Sequence, residues 1–250
     1  MAVKGIRKIF KAIYFVYFYL VFAVALSLCY PFIYFLIKNP KNYPIVHNIR
    51  KWGCRVVLLI TGIWYKKIEL YKLQKGQVFI FCANHSSMLD IVVPLAVFDR
   101  YHHYLGKKEL GDIPLFGIFF KYMDIPVDRS SNNGLFNAYI RAENDLDKGI
   151  SLVIFPEGTT TLKAPKLHNF KLGAFKLAVK KKIPVVPVTF PDHWRLMHYD
   201  KKWEAQPGMA RMVIHPPLWP QDGDEEEVVE MKNMVFDTID STIKKYNDKI

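Results

Sequence analysis

From Ala12 to Ile37 the chain runs for 26 residues without a formal charge, and no other feature limits its fold so strongly. At about 1.5 Å of rise per residue, a helix over this run would be roughly 39 Å long, more than the ~30 Å hydrocarbon core of a bilayer. The run is too long for a signal peptide, and "PFIYFLIKNP" offers no small-residue cleavage site. It is therefore expected to stay in the mature protein as a membrane-embedded helical segment. Pro31 would kink a helix here, so a single span and a segment that enters one leaflet and returns both stay open. Lys4, Arg7, Lys8 and Lys11 precede the run, and Lys38, Lys41, Arg50 and Lys51 follow it, so flanking charge selects no orientation.

Downstream, Ile45, Ile49, Trp52, Val56, Ile60 and Ile63 recur at helical spacing, with His47, Asn48, Arg50, Lys51 and Arg55 mostly on other faces. The pattern predicts a basic amphipathic helix over 44–65 lying at a membrane interface. An ordinary helix packed on a core would give a similar pattern. Residues 1–66 are thus read as an amino-terminal membrane anchor, and 67–250 as a globular domain.

The chain's 250 residues suffice for one α/β domain with an appendage. Half of them are apolar and the net charge is +12, a combination that suits an anionic membrane surface and keeps nucleic acid as the rival partner. The basic residues are dispersed and show no groove-reading motif, which argues against nucleic acid. Cys29, Cys54 and Cys82 have neither zinc-site nor disulfide-scaffold spacing, so a reducing compartment and no structural metal are expected.

After Gly76, short β-rich runs ("VFIFCA", "SLVIF", "IPVVPVTF", "ARMVIH") alternate with helical patterns such as "LFNAYIRAENDLDKG". Such alternation predicts an α/β fold with a mostly parallel central sheet flanked by helices. In these sheets ligands gather at the carboxyl ends of the strands. Three such ends carry polar chemistry: "VFIFCA" leads into "NHSSMLD" (84–90), "SLVIF" into Pro156, Glu157, Gly158 and Thr159, and "IPV" into Asp128, Arg129 and Ser130.

His85 and Asp90 cannot share a face of one helix, because five residues at ~100° each place them about 140° apart. The simplest arrangement leaves His85 in the turn and Asp90 in the first turns of the next helix. From there Asp90 can accept a hydrogen bond from one imidazole nitrogen, fixing the tautomer and freeing the other nitrogen to take a proton. Cys82 reads as a core residue from strand alternation, and Ser86 and Ser87 as turn or cap residues. A substrate hydroxyl is then the better proton donor. "FPEGTTT" (155–161) makes a tight loop whose N–H groups can face an anion or an oxyanion, while Arg129 and the lysines of "GKKEL" suit a phosphate.

Taken in order, "NHSSMLD", "MDIPVDRS" with "GKKEL" and "PLFG" ahead of it, "FPEGTTT" and "IPVVPV" resemble the four blocks of the lysophospholipid acyltransferase family, over roughly residues 75–220. The resemblance implies that 67–250 is an acyltransferase catalytic domain with a glycerolipid-acyltransferase-like fold. His85 would be the general base and Asp90 its orienter. Glu157, Gly158 and Thr159 would shape the acceptor site, and Lys107 and Arg129 would hold the acceptor phosphate. The acceptor is expected to be a lyso-lipid, 1-acylglycerol-3-phosphate first, and the donor an acyl-carrier-protein or coenzyme A thioester, with no bound cofactor and no metal. The expected place is the cytoplasmic face of the inner (plasma) membrane, in contact with membrane lipid.

Two departures bear on the head group. Thr160 stands where the family often has arginine, removing a potentially bidentate phosphate ligand, and Met123 stands where glycine is common. Another lyso-lipid, such as an acyl amino-acid lipid, is the alternative acceptor, and a non-catalytic membrane-surface protein is the alternative class.

Overall fold

A computed structural model of the protein describes residues 2–199, 201, 203–221 and 223–248. Its centre is a strand with no exposed face. All four residues of β2 (Ile80–Ala83) are buried, and the strand lies parallel between β5 (Ser151–Ile154) and β6 (Val185–Thr189). Strands buried on both faces read as near-continuous apolar runs, which is why "VFIFCA" shows so little polar alternation.

Period two still decides what each residue meets. Ile80 and Cys82, with Leu152, Ile154 and Val185, pack against α5 (Asn132–Asp147), α6 (Gly173–Lys181) and α8 (Glu225–Asn247). Phe81 and Ala83, with Val153, Val186 and Val188, face α1 (Ala2–Leu36), α2 (Tyr43–Ile60) and α3 (Leu89–Val97) instead. The result is a three-layer sandwich.

The sheet has seven strands in the order β1-β7-β6-β2-β5-β3-β4, completed by β1 (Ile63–Glu69), β3 (His102–Lys107), β4 (Ile125–Val127) and β7 (Gly208–Ile214). It is mostly parallel, as expected; the antiparallel pairing falls between β6 and β7. Consequently β2, β5, β3 and β4 are neighbours in a row whose carboxyl ends share one edge. At about 4.8 Å per strand, that edge carries β3 roughly 10 Å and β4 roughly 14 Å from β2.

α1 runs through Pro31 and returns by way of a short turn at Pro40–Asn42 into α2. The two helices form an antiparallel hairpin, tied by the Tyr14 and Tyr17 hydroxyls donating to Thr61 O (2.7 Å) and Ile60 O (2.9 Å) at the far end of α2. Over Gly5–Leu36 the first helix is long and apolar enough to cross a membrane, with a mean hydropathy of 2.2. Much of it is bare of protein: Ile9, Phe10, Leu20, Leu28, Phe32 and Phe35 are all exposed.

α2 buries Val46, Cys54, Val57 and Leu58 in the core and seats basic side chains on the same side. Its basic side faces the protein: Arg50 is buried against Asp124 (2.7 Å), Lys51 reaches Asp99 (2.7 Å) and Arg55 donates to Ala96 O. A second apolar stripe faces outward, with Trp52 61% and Leu59 64% exposed. The helix is also shorter than the expected 44–65. Thr61 Oγ1 donates back to Val57 O (2.7 Å), Gly62 adopts the left-handed φ of +68° that ends helices, and by Ile63 the chain is pairing with Gly208 in the sheet. Residues 63–65 therefore belong to β1, which moves the start of the sheet into the segment read as anchor.

The tail follows the charge order of its sequence. Asp224 caps α8 by accepting from Glu227 N, acids fill the first turn, and Lys244 and Lys245 the last, as the helix dipole favours.

Candidate active site

The carboxyl end of β2 is locked before the turn begins. The Asn84 side chain donates to Phe190 O (3.0 Å) and accepts from Phe190 N (2.8 Å), joining this strand end to that of β6. His85 follows in the turn, and Asp90 sits in the first turn of α3, completely buried. Asp90 Oδ2 accepts from Ser86 N (2.5 Å), Ser87 N (2.8 Å) and His85 Nδ1 (3.1 Å), while Oδ1 accepts from His193 Nδ1 (2.8 Å).

Burial alone would raise the Asp90 pKa, but the hydrogen bonds and charge of His193 and His85 together bring it below its ordinary value. Held as a carboxylate, it requires a hydrogen on His85 Nδ1. His85 Nε2 makes no hydrogen bond among the described residues, and the side chain is 15% exposed, so this nitrogen is open to a proton from outside. The ring is fixed from below by Phe155, stacked 4.2 Å away at 20°.

Glu157, at the end of the neighbouring β5, grips the same turn from the other side. Its Oε1 accepts from His85 N (2.8 Å) and its Oε2 from His168 N (2.9 Å), while Thr161 N donates to His85 O (2.7 Å). Gly158, at φ +68°, lets the chain fold back so sharply. Desolvation of the buried Glu157 carboxyl is the main reason its pKa is pushed up to about 7, despite the two backbone donors.

The remaining predicted residues lie along the rim. Lys107, at the end of β3, is exposed and paired with Glu109 (3.3 Å). Arg129 follows β4, exposed, and forms no ion pair among the described residues. Between them Asp128 is engaged by Lys108 (2.7 Å) and Ser130 (2.9 and 2.6 Å). Thr159 is exposed and Thr160 half-buried.

A family model described as Acyltransferase matches residues 66–191, half of the chain, including both strand ends that hold His85 and Glu157. The chain belongs to the acyltransferase family. Within that family it is similar to a 1-acyl-sn-glycerol-3-phosphate acyltransferase of Helicobacter pylori, 29% identical over 212 residues, 84% of this chain and 82% of that one. It is also similar to a chloroplastic 1-acyl-sn-glycerol-3-phosphate acyltransferase of Brassica napus, 29% identical over 163 residues, or 62% of this chain. The match spans 47% of the Brassica protein, so the chain covers about half the length of that relative. The crystal structure of the 1-acyl-sn-glycerophosphate (LPA) acyltransferase PlsC from Thermotoga maritima shares the fold. Its TM-score is 0.80 at 24% identity, covering 96% of this chain and 98% of that one.

For this acyltransferase, then, the structure brings together His85, Asp90 and Glu157, with Gly158 in the same turn, and leaves Thr159 exposed beside them and Lys107 and Arg129 on the rim one and two strands further on. Cys82 lies in the core beneath, wholly buried, and burial drives its thiol pKa far up. Sequence reasoning missed His193, Phe155 and Asn84 as parts of the site. His193 had a usable signal: "PDHW" follows β6, the strand beside β2, so the rule that singled out the other strand ends applied to it too.

Proposed function

We propose that the protein transfers a fatty acyl group from an acyl thioester to the free hydroxyl of 1-acylglycerol-3-phosphate, giving phosphatidic acid. The observation that carries this reading is the His85 ring, held by Asp90 through Nδ1 with Nε2 unencumbered. His85 Nε2 takes the proton as the hydroxyl oxygen attacks the thioester carbonyl. The resulting imidazolium faces an ionised Asp90, and its proton leaves with the thiolate as the tetrahedral intermediate collapses. Glu157 does not touch the proton in this scheme; it fixes the backbone of the turn from which His85 projects.

The acyl donor is an acyl-carrier-protein or coenzyme A thioester. An apolar recess lined by Met88 and Ile91, three and six residues after the base, and by Leu26 and Phe119 of α1 and α4 (Gly117–Tyr122) supports an aliphatic substituent. We assign the α1–α2 hairpin as the membrane anchor and the remainder as the catalytic domain, resting on the cytoplasmic leaflet. The outward apolar stripes of both helices support that assignment. Arg129 and Lys107 are the candidate ligands of the acceptor phosphate.

Thr160 and the Lys107–Glu109 pair favour a second reading, transfer to another lyso-lipid. Incubating the detergent-solubilised chain with a labelled acyl thioester and lyso-lipids with and without a phosphate head group, beside His85→Ala, separates the two. Preference for lysophosphatidic acid with a dead variant is expected. Preference for a phosphate-free acceptor would keep the histidine chemistry and remove the substrate, and an active His85→Ala would remove the mechanism.

A further inference from the structure

We propose that His193 is a positioning residue for acyl transfer, setting the orientation of the Asp90 carboxylate so that Oδ2 stays in line with His85 Nδ1. The inference rests on the reading of His85 as the base. Three of the four donors to Asp90 come from its own turn and converge on Oδ2; the fourth, His193 Nδ1, comes from 103 residues away and engages Oδ1. Of the four bonds, that to His85 is the longest at 3.1 Å. A carboxylate that turned about its last torsion would lose this bond first. Among the described residues, only His193 holds the other end of the lever.

The ring itself has no freedom to follow such a turn. It is fully buried and stacked on Phe190 at 4.7 Å and 18°, and the Phe190 backbone is bonded in both directions to Asn84, the residue before His85. The strand-end clamp that places the base therefore also places His193. Among the described residues its Nε2 is buried with no hydrogen-bond partner, and the bond to Asp90 is the one polar contact made by the ring. A buried unpartnered nitrogen is unfavourable, and an apolar ring of similar shape would avoid it. What such a ring could not do is donate to Asp90.

The test uses the full chain in detergent with a labelled acyl thioester and 1-acylglycerol-3-phosphate. His193→Phe keeps the stacked ring and removes the donor; His193→Asn restores an N–H at the same distance from the backbone. His193→Phe is expected to lower kcat about 10–100-fold, as loss of an orienting partner typically does, with both KM values changed by less than about twofold. His193→Asn should return kcat to within about threefold of wild type. In histidine-selective nitrogen NMR, His85 should show the Nδ1–H tautomer in wild type and His193→Asn, and a mixture in His193→Phe.

A His193→Phe protein with full kcat, or a His193→Asn protein as slow as His193→Phe at equal melting temperature, would overturn the proposal. If His193→Phe fails to fold, His193→Gln takes its place, because its donor lies one bond too far out. Glutamine and asparagine variants of equal kcat would then sink the idea. His85→Ala keeps the two levels apart: a dead His85→Ala beside an undiminished His193→Phe removes only the role of His193, whereas an active His85→Ala removes the base as well.

Discussion

The end of β2 and the ends of β3 and β4 lie on one edge of one sheet and are built in opposite ways. At β2 the Asp90 carboxylate is saturated with donors, the His85 ring is stacked, its backbone N–H is gripped by Glu157, and little of it meets water. At β3 and β4, Lys107 is exposed and paired with a neighbouring acid, and Arg129 is exposed without an ion pair among the described residues. A proton acceptor must be aimed to within a fraction of an ångström before the substrate arrives, whereas a charged head group can be met by flexible cations. Damage to the first region should therefore appear in kcat, and damage to the second in KM.

The hardest test of this division is Asp90→Asn. The amide keeps the shape but turns an NH2 group towards donors on one side, so it conflicts with either His193 or the Ser86, Ser87 and His85 set. By analogy with other oriented bases, kcat should fall about 10³–10⁴-fold. Acceptor KM should move by less than about threefold, since no substrate contact is lost. Steady-state kinetics with saturating thioester reads both numbers, and a kcat within tenfold of wild type would show that His85 needs no orienter.

The two regions also differed in how far the sequence disclosed them. His85, Asp90 and Glu157 are legible because each ends an apolar run, and a strand followed by a polar turn is a local pattern. The fold class followed from the same alternation. β3 was not legible: "HHYLGK" begins with two histidines, and only the fold shows them buried, His103 between Asp145 (2.8 Å) and the Tyr101 hydroxyl (2.7 Å). The start of β1 hid inside a helical period that continues through Ile63, because a Thr-Gly stop is a weaker local signal than six well-spaced apolar residues. His193 could not be tied to Asp90 from sequence at all, since a contact across 103 residues leaves no periodicity. The partners of the basic residues of α2 were hidden for a related reason. The pattern marks Arg50 and Lys51 as basic, but their acids, Asp124 and Asp99, lie far along the chain.

Glu157 offers a sharper test inside the rigid region, through pH. Its folded pKa, about 7, lies above the ordinary 4.5, so the folded state keeps a proton that the unfolded chain has released between those values. Stability contributed by this group is therefore lost as pH rises through that window, by on the order of 3 kcal/mol in total. His102 and His215, buried with pKa values of about 4, give the opposite slope below pH 6.5, so the carboxyl must be isolated by difference. Glu157→Gln, which cannot titrate, should gain on wild type as pH goes from 4.5 to 7 and stay parallel to it above. Denaturant unfolding of both proteins across this range measures the difference. A flat difference curve would mean that the two backbone donors outweigh burial and Glu157 stays ionised throughout.

On the exposed rim the expected effects are smaller and fall on KM. Arg129→Ala should raise the KM of a phosphate-bearing acceptor about tenfold with kcat nearly unchanged, the scale of one charge-assisted contact. Lys107→Ala should change it by no more than about threefold, because an exposed lysine already paired with Glu109 has less to give. Thr160→Arg, which adds a contact instead of removing one, discriminates best. A forked donor placed beside Thr159 should lower KM severalfold for a phosphate acceptor and leave a neutral lyso-lipid unaffected, since a guanidinium gains most from an anion. The same variant should steepen the dependence of KM on ionic strength, because the added contact is solvent-screened. If Thr160→Arg lowers KM equally for both acceptors, the rim does not read the phosphate, and the head group must be recognised nearer the base than Lys107 and Arg129.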